Sequence, residues 1–279
     1  MFHVEKMRAE DFPFAVQLAN TMDWNMAESD FEFMLKLEPD GCFVLFEGDE
    51  RVGIATCISY GKTGCFGNLA VKEESRRKGA GTLLVKYAVD YLKAKGVATI
   101  GLYAYQHLIG FYETVGFKPR DEFAVLSGKV VPIKTAGTFR KATPDDLPAM
   151  MKFASRCLDG DRQKLLKLLF MDEGNVCYVA FRHGEIVGFV VAKVYDEIAE
   201  LGPLLCKLDR EDVAVELVRN ALQELSNVEL FACVPANEKT LLETIKAAGL
   251  EEKFRVTRMF LGPIPTENCT YLPESLERG

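Results

Sequence analysis

The chain repeats itself. Lys6-Met7-Arg8-Ala9-Glu10-Asp11-Phe12-Pro13 is echoed by Lys141-Ala142-Thr143-Pro144-Asp145-Asp146-Leu147-Pro148, Arg51-Val52-Gly53-Ile54 by Ile186-Val187-Gly188-Phe189, Tyr60 by Tyr195 and Gly67-Asn68-Leu69 by Gly202-Pro203-Leu204, all at an offset of 135. Near the end of each half, Val115-Gly116-Phe117 is echoed by Ala248-Gly249-Leu250 at an offset of 133. Five echoes in one order imply a duplicated unit, and whatever fold the first half adopts must be open to the second. Two units also suit 279 residues better than one compact domain does. The breakpoint falls at 128–138, where Gly128, Pro132, Thr135, Ala136 and Gly137 interrupt the periodicity. The division is therefore 1–132 and 137–264, followed by a tail, 265–279, expected to lie loosely on the surface.

Each half reads as mixed α/β. In the first, 4–7 is a short strand, and a helix is expected over 11–22 with Asp11 as N-cap and Pro13 in its first turn. A second helix, 29–37, opens on Ser29-Asp30-Phe31-Glu32, the pattern of a capping box. Apolar runs at 42–47 and 52–60 flank Glu47-Gly48-Asp49-Glu50, a hairpin signature. A strand at 65–71, a helix at 81–95 closed by Gly96, a strand at 97–103, a short helix at 107–115 and a last strand near 122–127 complete the unit.

The strongest chemical signal lies between the strand at 65–71 and its following helix, where Arg76-Arg77-Lys78-Gly79-Ala80-Gly81-Thr82 forms a basic, glycine-punctuated turn. Backbone N–H groups at a helix start are unpaired, and the helix dipole places about half a positive charge there. Gly79 and Gly81 let the main chain approach phosphates, and the three cations compensate charge. The protein as a whole carries a net charge of −7, which argues against non-specific nucleic-acid binding. A basic patch in an acidic chain points instead to a specific small anion.

No apolar run is long enough to span a membrane, and the N-terminus lacks the apolar core of a secretion signal, so a cytoplasmic location without membrane attachment is expected. The eight cysteines include no C-x-x-C pair and read as reduced, buried, small hydrophobes. His3, His107 and His183 lack metal-ligand spacing, so no metal is expected.

The order of elements, the Arg76–Gly81 turn and the later block Phe111-Tyr112-Glu113-Thr114-Val115-Gly116-Phe117 together resemble the GNAT superfamily of acetyl-CoA-dependent acyltransferases. The first block fits the signature Q/R-x-x-G-x-G/A and the second Y-E-x-x-G-F. Asp23-Trp24-Asn25-Met26-Ala27-Glu28-Ser29-Asp30-Phe31, Gly101-Leu102-Tyr103-Ala104 and Arg258-Met259-Phe260-Leu261-Gly262 are similar to a prokaryotic group with two GNAT-like domains in one chain. The resemblance implies an α/β fold in which each domain holds a mixed, mostly antiparallel sheet flanked by helices. It also implies acetyl-CoA as cofactor. Strands four and five splay apart, the pantetheine arm lies between them against Leu69, Ala70 and Val71, and the pyrophosphate rests on Arg76, Arg77, Lys78, Gly79, Ala80, Gly81 and Thr82. An amide near Leu69 would hold the thioester carbonyl.

Tyr112 is implied as the general acid that protonates the leaving thiolate; read without the resemblance it is a core tyrosine beside Phe111 and Phe117. Many members carry asparagine seven residues before this tyrosine, against the cofactor arm, where this chain has Tyr105, with Gln106 or His107 as substitutes. The general base is not legible. Asp23, Glu28 and Asp30 border the expected acceptor cleft, although a solvated or capping role suits each better. Trp24, Asn25 and Asp30 are the substrate-side candidates, with Trp24 either a wall of the acceptor pocket or core. The acceptor is expected to be a small-molecule or peptide amine.

At the same offset Arg76 becomes Glu211, Gly79 becomes Ala214 and Gly81 becomes Glu216, and Tyr112 becomes Ile245 at the shorter offset. An acidic helix start repels a pyrophosphate, so the second half is expected to fold without binding the cofactor. Completing the acceptor pocket, recognising an acceptor or effector, or forming a homodimer contact are the roles left to it. A non-catalytic acyl-CoA sensor is the first alternative to an enzyme, and a binding or scaffold protein with a vestigial glycine turn the second, against which the retained cations and glycines of the first half speak.

Overall fold

The computed structural model describes residues 1–135, 139–195 and 198–279. Ala136 and Gly137 of the expected breakpoint lie outside the described residues. The first half runs β1 (Phe2–Lys6), α1 (Phe12–Asn20), α2 (Glu28–Leu37), β2 (Cys42–Glu47), β3 (Glu50–Tyr60), β4 (Thr63–Val71), α3 (Ala80–Ala94), β5 (Thr99–Tyr105), α4 (Ile109–Thr114) and β6 (Lys118–Lys129). The second half repeats that order as β7 (Arg140–Lys141), α5 (Leu147–Cys157), α6 (Gln163–Met171), β8 (Val176–Arg182), β9 (Glu185–Tyr195), β10 (Ile198–Lys207), α7 (Glu211–Glu224), β11 (Glu229–Pro235), α8 (Lys239–Ala247) and β12 (Glu251–Leu261), and adds β13 (Cys269–Leu272).

Two helix starts differ from expectation. Asp11 stands at the N-cap position of α1, but its carboxylate accepts from the Arg8 amide at 2.8 Å and from Arg51 Nε at 2.6 Å, so it closes the preceding 3₁₀ turn. The cap of α2 is not Ser29. The helix begins at Glu28, and Asp30 reaches back to accept the Ala27 amide at 2.9 Å. An acidic side chain suits that first turn because it meets unpaired N–H groups and the positive end of the dipole.

The strands form one sheet in the order β1-β2-β3-β4-β5-β12-β6-β11-β10-β9-β8-β7, with β13 on β10. The halves exchange their last strands. β12 of the second half lies antiparallel to β5, from Val256 opposite Tyr105 to Leu261 opposite Ile100. β6 of the first half lies antiparallel to β11, from Glu229 opposite Lys129 to Pro235 opposite Phe123, and β6 and β12 pair with each other. The exchange pairs the edges of β5 and β11, which would otherwise need closing within each half, and joins the two halves in one continuous sheet.

Side chains alternate across this sheet. One face carries α1, α2, α5 and α6, which share a single core with Ile54, Cys65, Val191 and Leu205. On the other face α3 and α4 cover the first half, through Leu84, Ala88 and Leu92 against Ile100 and Leu102, while α7 and α8 cover the second. Phe123 of β6, 1% exposed, packs with Cys233 of β11 and Val256 of β12 at the centre. Burying such a ring contributes about 1.5–3 kcal/mol, so the seam between the halves is built as core.

The tail does not lie loosely on the surface. β13 pairs antiparallel with β10, Leu204 opposite Leu272 and Lys207 opposite Cys269, and Arg278 is 1% exposed. Its apolar strand and its buried ion pairs hold it down, neither of which shows in a count of prolines and glutamates.

Candidate functional site

β4 and β5 run parallel and pair only over Thr63, Gly64 and Cys65 against Thr99, Ile100 and Gly101. Beyond Cys65 they part. On its other edge β4 remains paired with β3, where the register shifts between Ile54–Ala70 and Thr56–Gly67, so Asn68 and Leu69 oppose Ala55 alone. This is a bulge, with Asn68 in the left-handed region at φ 49°, a conformation that asparagine tolerates. The inner edge of β4 past the bulge, 69–72, carries no strand among the described residues.

The second half shows what such an edge accepts. Its bulge lies at Gly202 and Pro203, between Leu201–Ala192 and Leu204–Val190, and β10 pairs with β11 only up to Leu201 opposite Ala232. Leu204–Lys207, the counterpart of 69–72 at offset 135, is paired with β9 on one edge and with β13 on the other. The tail therefore occupies as an added strand the place that stays open in the first half. The acidic start of α7, with Arg210 bonded to Asp212 at 2.7 Å, replaces the basic turn there, and Ile245 is fully buried.

In the first half the open edge leads to the N-terminus of α3. Gly79 is the N-cap at φ 89°, in the left-handed region that favours glycine, and no side chain caps the helix. An ideal Cβ on Gly81 would meet Phe111 at 3.4 Å, an ordinary contact, so Gly81 is not required on steric grounds. Arg77 and Lys78 are exposed, and Arg76 folds back so that its Nε donates to the Val71 carbonyl at 2.8 Å.

Tyr112 lies on the same face of the sheet. It is 6% exposed and packs edge-on against Phe66 of β4, Phe111 and Phe117, at centroid distances of 6.5, 5.0 and 6.0 Å. Among the described residues no group hydrogen-bonds its hydroxyl, and burial pushes its pKa well above the ordinary phenol value. The ring is both core and, at its tip, an unengaged proton donor.

The opposite face holds the other candidates. Trp24 Nε1 donates to the Tyr105 hydroxyl at 3.1 Å, between Asp23 and Asn25, both left-handed at φ 58° and 51°. The loop is closed by Asn20, whose side chain donates to the Met26 carbonyl at 3.0 Å and accepts its amide at 2.7 Å. Tyr105 stacks on His107 at 5.8 Å and meets Phe254 of the exchanged strand β12 at 5.3 Å. Gln106 is turned aside to Thr257 at 3.1 Å. Asn25 is exposed, and Asp30 is engaged as the cap of α2.

Sequence reading missed Phe254 and the tail residues Leu276 and Glu277. Leu276 packs on the apolar cluster that also seats Tyr103 and Tyr105. Glu277 lies over Gly67, where an ideal Cβ would stand 2.6 Å from the Glu277 Cα, so only glycine admits the tail there. The run Cys269-Thr270-Tyr271-Leu272 was the legible sign of a further strand. A cavity of about 40 Å³ lies at the apex of the splay, among Cys65, Gly101, Arg162, Arg258 and Tyr271, room for a water or two rather than for a cofactor arm.

Residues 4–117 match the acetyltransferase (GNAT) family, and residues 150–272 match an acetyltransferase (GNAT) domain. The holothin acyltransferase of Pseudoalteromonas sp. (strain SANK 73390) is 22% identical over 259 residues, 92% of this chain and 86% of that one. An acetyltransferase-like protein of Pyrococcus horikoshii superposes with a TM-score of 0.83 at 23% identity, covering 100% of this chain and 96% of its own. A tandem GNAT protein from the clavulanic acid biosynthesis pathway superposes with a TM-score of 0.66 at 13% identity, covering 95% and 100%. At these identities the structural likeness establishes the fold.

Proposed function

Because the chain carries two GNAT domains in tandem and is an N-acyltransferase of that family, we propose that its first domain moves an acetyl group from acetyl-CoA to a primary amine by direct transfer, and that it binds one cofactor per chain. The observation that carries this reading is the contrast between two equivalent strand edges. The edge 204–207 is filled by β13, whereas 69–72 is open and runs toward an uncapped, basic helix start. An extended arm with alternating amides adds to such an edge as a strand does.

The residues present fit that group. Main-chain groups of Leu69, Ala70 and Val71 would hold the arm, and Arg76 would release the Val71 carbonyl as it turned toward the phosphates. The amides of Ala80, Gly81 and Thr82, left without helical partners, would receive the pyrophosphate together with Arg77 and Lys78. Acetyl-CoA, when bound, supplies an acyl thioester: an electrophilic carbonyl and a sulfur leaving group. The amide of Leu69, in the bulge, would donate to a carbonyl oxygen that gains charge. Tyr112 keeps its proton at neutral pH because burial disfavours the phenolate. The same apolar surroundings disfavour a free thiolate, which makes the sulfur a better proton acceptor there than in water.

Among the described residues no helix is long and apolar enough to cross a membrane; a cytoplasmic enzyme is the reading adopted. The test is calorimetric. Coenzyme A titrated into the protein should bind with a stoichiometry of one per chain, and Gly79→Asp should weaken it by ~10-fold through repulsion at the helix start. Unchanged affinity in a folded Gly79→Asp protein, or two sites per chain, would contradict the assignment. Thiol release over a panel of primary amines then identifies the acceptor.

A further inference from the structure

The tail runs from one bulge to the other. Gly67 and Gly202 are equivalent at offset 135: Gly67 lies one before the first bulge, and Gly202 is the first residue of the second. The main chain of Pro273 and Glu274 is packed against Gly202, and that of Glu277 against Gly67. At the second bulge the tail arrives as β13, along the strand edge. At the first it crosses the sheet face instead, on the side of Trp24 and Tyr105, and leaves the edge 69–72 free. Of the side chains brought to this face by the tail, Glu277 is the charged one next to the bulge.

Glu277 is held there. Arg278 Nη1 lies 2.7 Å from its Oε1, and the same guanidinium bonds Glu274 through Nε and Glu200 through Nη2 at 3.2 Å. The Arg278 carbonyl accepts from the Tyr60 hydroxyl at 2.8 Å and from Arg162 at 3.2 Å, so the segment is pinned from β3 and α6. Three carboxylates (Glu200, Glu274 and Glu277) share Arg278 and the nearby Lys193, and Glu274, 2% exposed, leaves Oε1 without a donor.

The geometry points to Glu277 as the carboxylate that binds the ammonium of the acceptor and takes its proton, so that the second half, through its tail, completes the catalytic site of the first. This rests on the acyl-transfer reading above. In the step, the bound ammonium first gives one proton to Glu277. The neutral amine nitrogen then bonds to the thioester carbonyl carbon, the carbon–sulfur bond breaks with its electron pair on sulfur, Tyr112 gives sulfur a proton, and the second proton lost by nitrogen returns through water to Tyr112. Trp24, Tyr105 and Phe254 supply aromatic surface beside the entering amine, which favours acceptors with a flat or apolar body behind the ammonium.

Trp24 is the sole tryptophan, so its fluorescence reports occupancy of this face without turnover. We use 2-phenylethylamine and its uncharged counterpart 2-phenylethanol as probes of the wild-type chain, Glu277→Gln and Glu277→Asp. Wild type should bind the amine about 10-fold tighter than the alcohol, a gap that closes in Glu277→Gln and partly reopens in Glu277→Asp. Acetyl transfer to the amine should fall about 100-fold in kcat/KM in Glu277→Gln, while transfer to hydroxylamine, neutral at neutral pH, should be little changed. An amine preference that persists in Glu277→Gln, or its absence from wild type, overturns the assignment. Should Glu277→Gln not fold, an amine preference and turnover in Glu277→Asp equal to wild type overturn it as well. If coenzyme A fails to bind while the Glu277-dependent preference stands, the ammonium site survives and the transfer reading fails.

Discussion

Replacing Gly67 by alanine tests how firmly the tail is seated. The new Cβ would stand 2.5 Å from the Glu277 Cβ, 2.6 Å from its Cα and 3.1 Å from its carbonyl oxygen. Ordinary contact begins at 3.4 Å, so the segment must retreat by 3.4 − 2.5 = 0.9 Å. The atoms to be moved are main chain and Cβ, and they cannot rotate away. A retreat of that size along the bond would stretch the 2.8 Å hydrogen bond from Tyr60 to Arg278 beyond hydrogen-bond range. Overpacking of this kind costs about 1–3 kcal/mol, and release of the Arg278 ion pairs would raise that toward about 3–5 kcal/mol. At about 2–4 °C per kcal/mol, the melting temperature should fall by roughly 2–20 °C. Hydrogen exchange should quicken at 275–279 and remain slow in β3 and β4. Gly110→Ala is the control. Nothing lies within 4 Å of its Cβ, and it sits within helix α4, so it should stabilise the protein slightly. A Gly67→Ala protein that melts with wild type and protects 275–279 equally well would refute the packing argument.

Two further outcomes follow from the same structure. Tyr112→Phe should leave coenzyme A affinity within about 2-fold and lower turnover about 100-fold, as measured by thiol release; an unaltered rate removes Tyr112 from the mechanism. Burial pushes Glu200 up to about 7 from an ordinary 4.5, against the opposing pull of Arg278. The folded chain then holds a proton that the unfolded chain has released, so this group's contribution to stability declines as pH rises from about 4.5 to about 7 and is flat above. Glu200→Gln should remove that decline in urea melts taken across the range, and a slope of unchanged size would place its origin elsewhere.

Much of this molecule was legible because it is local. The period of the apolar residues places the strands and helices to within a few positions, and the hairpin at Gly48-Asp49 is where its turn residues put it. The echo at offset 135 anticipates the two matching orders of elements, down to the paired bulges at Asn68 and Pro203. The basic turn and its acidic counterpart already distinguish the helix starts of α3 and α7 by charge. Helix caps were read less well, because Asp11 and Asp30 choose among partners a few residues away that only the folded geometry ranks.

What the chain alone left undecided are the contacts between residues far apart in it. β6 and β12 carry ordinary strand patterns whether they close their own sheet or the other's, since alternation sets which face is buried and says nothing about the neighbour on either edge. The tail is the sharper case: its prolines and glutamates read as solvent-exposed, yet an open edge on β10 and a glycine floor at Gly67 bury it. Local composition determined two related α/β units and one basic, glycine-containing helix start. Tertiary structure decided that the units share one sheet and that the end of the second lies against Gly67 of the first, because edges and cavities are properties of assembled strands and have no counterpart in a single segment.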